Sequence, residues 1–461
     1  MILLMKNTLM NNKLNVLFAL PPVDYPNTII NIGAELGVTS LISQVRKECD
    51  VNIFFYSFEF AKLVPPLYDI DEALDCYCPD IICISVLTHS YPFAKKLSMK
   101  AKERGCIVIW GGIYVSQKSS QIAMDNNYVD YYLFGEGEYS LPTLINEIQS
   151  QHECQSMNAK NIIYYPSKTN SAFECELPDF SVIPPVLIDK YGLRATMETT
   201  RGCKFKCEFC SLNKLDFKNK DKSVELLSRE LINIIKYGFK KTLICDNNFI
   251  LDNEKFLKFK MIKKEIAPEL KLRITIRLDL LTLDILREFK KLNIDEIIVG
   301  IEHVDDNILA SMKKTNTHGN RWVDLARKNI LLAADMGFLV HPIFMFGWPG
   351  ETRYTLDNNK DFACFLGKHP NIEPFIAFLT PHPGNNVEHF IIEGKIKKIT
   401  SDYSKYIHLY PVAIPYNFDI NDLKYMINIH NEIRTVSNMI YRNPCISEDF
   451  VLSYSDLLVV N

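Results

Sequence analysis

The sequence predicts an α/β protein made of two successive parallel-sheet domains and a small, mainly helical C-terminal region. Three observations carry this. Short apolar runs alternate with amphipathic stretches through the first ~150 residues, the pattern of strands joined by crossover helices. A polar stretch (SKTN) and three prolines, Pro178, Pro184 and Pro185, then break the rhythm. A second strand–helix alternation follows and contains about six strands. The division reads as 1–150 for a Rossmann-like doubly wound domain, 151–190 for a linker, 191–384 for a partial β/α barrel and 385–461 for the helical end.

In the first domain, NVLFALPP (15–22) reads as a strand running into a Pro-Pro loop, and 34–48 as a helix. VNIFFYSF (51–58) is a strand, DIDEALDCY (69–77) a helix and DIICISVL (80–87) a third strand, followed by a helix over 91–104. CIVIWGG (106–112) and YVDYYLFGEGE (128–138) supply two more strands, and SLPTLINEIQ begins another helix. Continuous apolar runs such as IICISVL fit strands buried on both faces. In the second domain, strands are predicted in RATMETT, KTLICD, LRITIRL, DEIIVGIE, FLVHPIFMFG and PFIAFLT. Ligands of such a barrel gather at the carboxyl ends of its strands. In the C-terminal region, Leu423, Met426, Ile427, Ile433, Val436 and Ile440 share one helical stripe, with Asp419 or Asn421 as N-cap.

Composition narrows the function classes. Among 461 residues, 47% are hydrophobic and 23% charged, with a net charge of -3, so no polyanionic partner is indicated and nucleic acid is not a favoured ligand. No apolar run approaches the length of a membrane span, and the N-terminal stretch reads as a buried strand rather than a signal peptide. The chain therefore reads as cytoplasmic. Its 13 cysteines do not suggest a disulfide framework in that setting, and most lie in apolar surroundings.

Three cysteines stand apart. TTRGCKFKCEFCSL places Cys203, Cys207 and Cys210 on one loop, with Phe209 directly before the last. Structural zinc wants four closed ligands, and no partner pair follows here, so zinc would need a fourth ligand from elsewhere in the chain. An iron–sulfur cluster is held by thiolates, and three of them leave one iron of a four-iron cluster open for chemistry.

RGCKFKCEFC resembles the C-x3-C-x-aromatic-C loop of the radical S-adenosylmethionine (SAM) enzymes. Later segments are similar to that family in the same order: LICDNNFILD, ITIRLDLL, VGIEHVDDNIL, FGWPGET and LTPHPG. The resemblance implies a [4Fe-4S] cluster on Cys203, Cys207 and Cys210, with SAM on the open iron. It implies that Phe209, Arg277 and Glu302 lie against SAM. His303 stands where the family usually has Ser, a departure that leaves Glu302 as the firmer SAM contact.

Upstream, Ser85-x-Leu87, Gly111-Gly112 and the GEGE segment with Gly135 and Glu136 resemble elements of cobalamin-binding domains. In those domains the glycines let the backbone pass close to the nucleotide tail. The D-x-H-x-x-G segment that supplies a lower cobalt ligand has no counterpart, because PPVDYPNTIIN contains no His. Cobalamin, if bound, is expected base-off; the alternative is a domain that binds none. Together these resemblances imply a B12-dependent radical SAM enzyme. The expected reaction is methyl transfer to an unactivated carbon of a small-molecule or natural-product substrate, by way of a 5′-deoxyadenosyl radical and methylcobalamin. Ring formation, rearrangement or oxygen insertion on the same cofactors is the alternative reaction. A non-catalytic iron–sulfur or zinc-binding module is the alternative of another class. The chemistry implies an electron donor such as flavodoxin or ferredoxin. His341, His382 and Tyr91 lie near predicted strand ends, but no side chain is singled out as catalytic.

Overall fold

The computed structural model describes residues 13–22, 33–64, 69–117, 127–153, 162–164, 176–211, 220–249, 253–315, 321–436 and 445–446. By its internal contacts the chain divides into two compact units, residues 1–23 with 35–187 and residues 24–34 with 188–461.

The first unit is a parallel sheet of β1 (Asn15–Leu20), β2 (Asn52–Ser57), β3 (Ile81–Ser85), β4 (Ile107–Gly111), β5 (Tyr131–Leu133) and β6 (Ile162–Tyr164). The strand order is β2-β1-β3-β4-β5-β6, so the direction of travel reverses between β1 and β3, as in doubly wound folds. Successive side chains point to opposite faces. Val16, Phe18, Ile81, Cys83, Ile109, Tyr131 and Leu133 meet α1 (Leu36–Glu48) and α5 (Ser140–Glu153) in one core. The alternate residues Leu17, Ile82, Ile84, Val108 and Trp110 are equally buried. Ser98 of α3 (Tyr91–Glu103) accepts the Trp110 indole N–H at 2.8 Å, tying that helix to β4. Two shorter helices, α2 (Ile70–Tyr77) and α4 (Ile113–Gln117), complete the connections. Asp69 caps α2 by accepting the Asp71 N–H.

One part of the sequence reading changes here. The segment 151–190, read as a linker, contains β6, which pairs in parallel with β5, and the first unit runs on to Leu187. A three-residue strand is too short to show a period.

The second unit contains the strands β7 (Ala195–Met197), β8 (Lys241–Ile244), β9 (Lys271–Arg277), β10 (Ile294–Glu302), β11 (Leu339–Phe346) and β12 (Phe375–Phe378). They are parallel and pair in chain order, the arrangement of an incomplete barrel. Gly33 and Ala34 lie along β7, where Thr196 Oγ1 donates to the Ala34 carbonyl. The connecting helices are α6 (Val224–Lys236), α7 (Asn253–Ile266), α8 (Leu283–Lys291), α9 (Asp306–Ser311), α10 (Arg321–Asp335) and α11 (Arg353–Gly367). Ser223, Thr282 and Asp305 cap α6, α8 and α9. The sequence reading missed α11, whose polar LDNNKD stretch hides a buried face of Leu356, Asn359, Phe362, Ala363 and Leu366.

The C-terminal helix α12 (Ile420–Val436) packs on α11. Leu423, Met426, Ile427 and Ile433 are buried as the stripe predicts, whereas Val436 is exposed and Ile440 lies outside the described residues. A two-stranded antiparallel ribbon, Ile396–Lys398 with Ala413–Pro415, adds strand to a region expected to be mainly helical. Among the described residues, no helix is long and apolar enough to cross a membrane.

Candidate functional site

The cysteine loop lies beyond β7, separated from it by a short antiparallel ribbon, Thr200–Arg201 with Lys220–Asp221. Asp246, just beyond β8, fixes that junction. One of its oxygens accepts the Thr199 and Thr200 N–H groups at 2.7 and 3.1 Å, and the other accepts both threonine hydroxyls. Burial raises the Asp246 pKa to about 6, partly offset by these four donors. Both carboxyl oxygens are fully satisfied by these donors.

Within the loop, Cys207 is buried while Cys203 and Cys210 are partly exposed. The Cys210 N–H donates to the Cys207 carbonyl at 3.1 Å, and the Glu208 N–H donates to Met312 at 2.8 Å, anchoring the loop to the end of α9. Among the described residues, no three His, Cys, Asp or Glu side chains form a site for a single metal ion.

Two cations stand against this loop. Arg277, the last residue of β9, places its guanidinium carbon 3.8 Å from the Phe205 ring centroid and donates from Nη1 to Cys207 Sγ at 3.4 Å. Lys314 pairs with Glu302 at 2.9 Å, and both side chains are nearly inaccessible. Burial pushes the Cys207 thiol pKa up, and the charges of Lys314 and Arg277 work against that rise. The thiolate is the form that binds iron, and the two cations lessen the cost that burial sets on forming it. The donor set of three thiols therefore fits an iron–sulfur cluster.

Glu302 ends β10 at a β-bulge, with a left-handed φ of 71°. Such strain persists only where the surroundings over-determine it. Gly300 leaves the space, because a Cβ there would meet Glu302 Oε1 and come within 2.9 Å of Lys314 Nζ. The next residues are pinned: His303 Nδ1 accepts the Asp305 N–H at 2.9 Å, and the Val304 N–H donates to Asn359 at 3.0 Å. With Nδ1 accepting, Nε2 carries the imidazole proton and faces Glu351 Oε1 at 3.3 Å. Glu351 also accepts the Gly347 N–H at 2.6 Å. The His that replaces the usual Ser thus ties the Glu302 bulge to the WPGE turn.

Phe209 sits in an apolar group with Trp348, Leu379 and Phe390, its ring edge-on to Trp348 at 6.4 Å. Lys314, Glu351 and Asp246 were not singled out from sequence. Lys313 and Lys314 are chemically equivalent neighbours, yet their side chains are 65% and 5% exposed. A positive φ at Lys313 turns the chain between them, which no pattern in a single sequence announces. Of the polar residues noted near strand ends, His341 faces Glu296 and Glu373 in a buried ionic group with Arg194 and Arg273.

In the first unit, Ser85, Leu87, Gly111, Gly112, Gly135 and Glu136 gather at the carboxyl ends of β3, β4 and β5. The Val86 N–H donates to Gly111 at 2.9 Å, the Tyr114 N–H to Val86 at 3.2 Å and the Gly135 N–H to Ser116 Oγ at 3.0 Å. Gly112 has φ 96°, and a Cβ on it would lie 2.7 Å from the Val86 carbonyl. The close approach that demands glycine here is to the neighbouring strand's backbone, a reason the sequence reading did not give. The expected lower-ligand segment beyond Pro22 lies largely outside the described residues.

The profile of the radical SAM superfamily matches residues 197–363, and that of the B12 binding domain matches residues 27–145. The chain belongs to the radical SAM enzymes that carry a B12-binding domain. Its cofactors are the [4Fe-4S] cluster, SAM and cobalamin. This radical SAM enzyme is 24% identical to an uncharacterized methyltransferase of Pyrococcus horikoshii, over 87% of each chain. It is 23% identical to an anaerobic magnesium-protoporphyrin IX monomethyl ester cyclase of Rubrivivax gelatinosus, over 77% of this chain and 65% of that one. Its fold is similar to that of the radical SAM methyltransferase TsrM from Kitasatospora setae, solved with cobalamin and a [4Fe-4S] cluster bound. The TM-score is 0.66 at 13% identity, covering 94% and 91% of the two chains.

Proposed function

We propose that this enzyme is a methyltransferase acting on an unactivated carbon of a small-molecule or natural-product substrate. The observation that carries the reading is the cysteine loop of Cys203, Cys207 and Cys210 brought against Arg277, Lys314 and Glu302 at the carboxyl ends of β9 and β10. When bound, the reduced cluster supplies one-electron cleavage of SAM, and cobalamin supplies a methyl carrier. The three thiolates hold the cluster. The Glu302–Lys314 pair offers a carboxylate and an ammonium, complementary to the amine and carboxylate of SAM. Phe209 offers an apolar ring to the adenine. The 85–87, 111–112 and 135–136 segments would hold cobalamin. The curated relative named a methyltransferase supports methyl transfer over the other outcomes.

The electron donor is a low-potential carrier of the flavodoxin or ferredoxin kind, nucleic acid is not a ligand, and the site of action is the cytoplasm. Incubation of the reconstituted enzyme with SAM and a strong reductant tests the reading. Formation of 5′-deoxyadenosine is expected, and its absence with every reductant overturns the radical assignment. A second reading, cyclisation, draws on the relative named as a cyclase. SAM with a deuterated methyl group separates the two: label retained in the product supports methyl transfer, and its absence supports cyclisation.

A further inference from the structure

We propose that Arg277 is a hydrogen-bond donor to a cluster thiolate and raises the reduction potential of the cluster. The inference rests on reading Cys203, Cys207 and Cys210 as the cluster ligands. Resemblance pointed Arg277 toward SAM, but its side chain is directed to the cysteine loop.

The guanidinium is held from several sides. Nε and Nη2 donate to the two oxygens of Asp279, each at 3.0 Å, and Nη2 also donates to the Lys314 carbonyl at 2.7 Å. The ring of Phe205, between the first two cysteines, lies 3.8 Å from the guanidinium carbon. The Arg277 N–H donates to Asn248 Oδ1 at 2.9 Å, fixing the backbone from which the side chain springs. Nη1 remains, and it is the atom that reaches Cys207 Sγ, at 3.4 Å. A guanidinium is a cation at any working pH, and the bonds to Asp279 and the Lys314 carbonyl fix the direction in which Nη1 points.

Asp279 does not cancel this charge at the sulfur. Its side chain is 38% exposed and screened by water, whereas that of Arg277 is 9% exposed. Reduction adds one electron to the cluster and changes no covalent bond. A fixed cation and an N–H···S bond stabilise the more negative, reduced cluster more than the oxidised one. The potential therefore rises, which eases electron delivery from a weak donor. Lys differs from Arg here: it keeps the charge and loses the planar fork that aims Nη1.

The test is a redox titration of the full-length reconstituted enzyme without SAM, reading the electron paramagnetic resonance signal of the reduced cluster against titanium(III) citrate. At the wild-type midpoint, Arg277→Gln is expected to lower the ratio of reduced to oxidised cluster about tenfold, a shift of about 59 mV for a one-electron couple. Arg277→Lys is expected to lower it about threefold. Iron and sulfide content is measured on the same samples. Where the Gln variant takes up no iron, the Lys variant carries the comparison. Iron-loaded variants with the wild-type midpoint overturn the inference while leaving the ligand assignment intact. A wild-type protein that takes up no cluster overturns the ligand assignment and the inference with it.

Discussion

The two units each gather sequence-predicted ligand residues at the carboxyl ends of a parallel sheet, but they build those edges differently. In the first, the strand ends are tied by backbone bonds and a serine hydroxyl, and Gly112 is demanded by the Val86 carbonyl. In the second, charged side chains are buried: Asp246, Glu302, Lys314, Glu351 and Arg277 are all 8% exposed or less. A backbone-built edge takes its ligand by shape. A charge-built edge sets the ionisation and potential of what it holds, and each charge needs a specific partner.

Perturbing the partners should therefore cost far more in the second unit. His303→Ala leaves the Glu351 carboxyl buried with only the Gly347 N–H, and is expected to cost about 4 kcal/mol in denaturant unfolding. His303→Gln, which can place an amide near the Nε2 position, is expected to restore most of it. Asp246→Ala orphans two buried N–H groups beside the cysteine loop and should cost about 3 kcal/mol and lower iron retention. Asp246→Asn should recover both, since its carbonyl accepts the N–H groups and its amide donates to hydroxyls that can rotate.

A pH effect of similar size belongs to the second unit. Burial lowers His430 from 6.5 to about 4. A depressed folded pKa means stability that is complete above the unfolded value of about 6.5 and is lost as pH falls toward 4. His430 is expected to contribute up to about 3 kcal/mol of that loss. Unfolding free energies measured across this window should flatten in His430→Leu; an unchanged slope removes His430 from the explanation. The smallest expected effect probes the first unit. Gly112→Ala should cost about 2 kcal/mol through its φ and the clash with Val86, while Gly111→Ala, with no atom nearer than 3.9 Å, should cost less than about 1 kcal/mol. Equal costs at the two glycines would remove the backbone-packing explanation.

Legibility followed the same division. Long apolar strands such as IICISVL and DEIIVGIE, with capped helices between them, marked both sheets in the sequence. Three-residue β6 and polar-looking α11 did not show, because one is too short for a period and the other hides its buried face. The cysteines were legible because their spacing is itself chemistry. Lys314, Glu351 and Asp246 were not, because a buried charge looks like a surface charge until its partner, brought from a distant segment, is beside it.

The most direct measurement of the central claim is iron and sulfide content per chain after anaerobic reconstitution, for wild type and for Cys203→Ala, Cys207→Ala and Cys210→Ala. The wild type is expected to bind about four irons and, on reduction, to give a paramagnetic signal that changes shape when SAM is added; each variant is expected to lose both. A colourless wild type with stoichiometric zinc, or variants that keep a full cluster, would contradict the account.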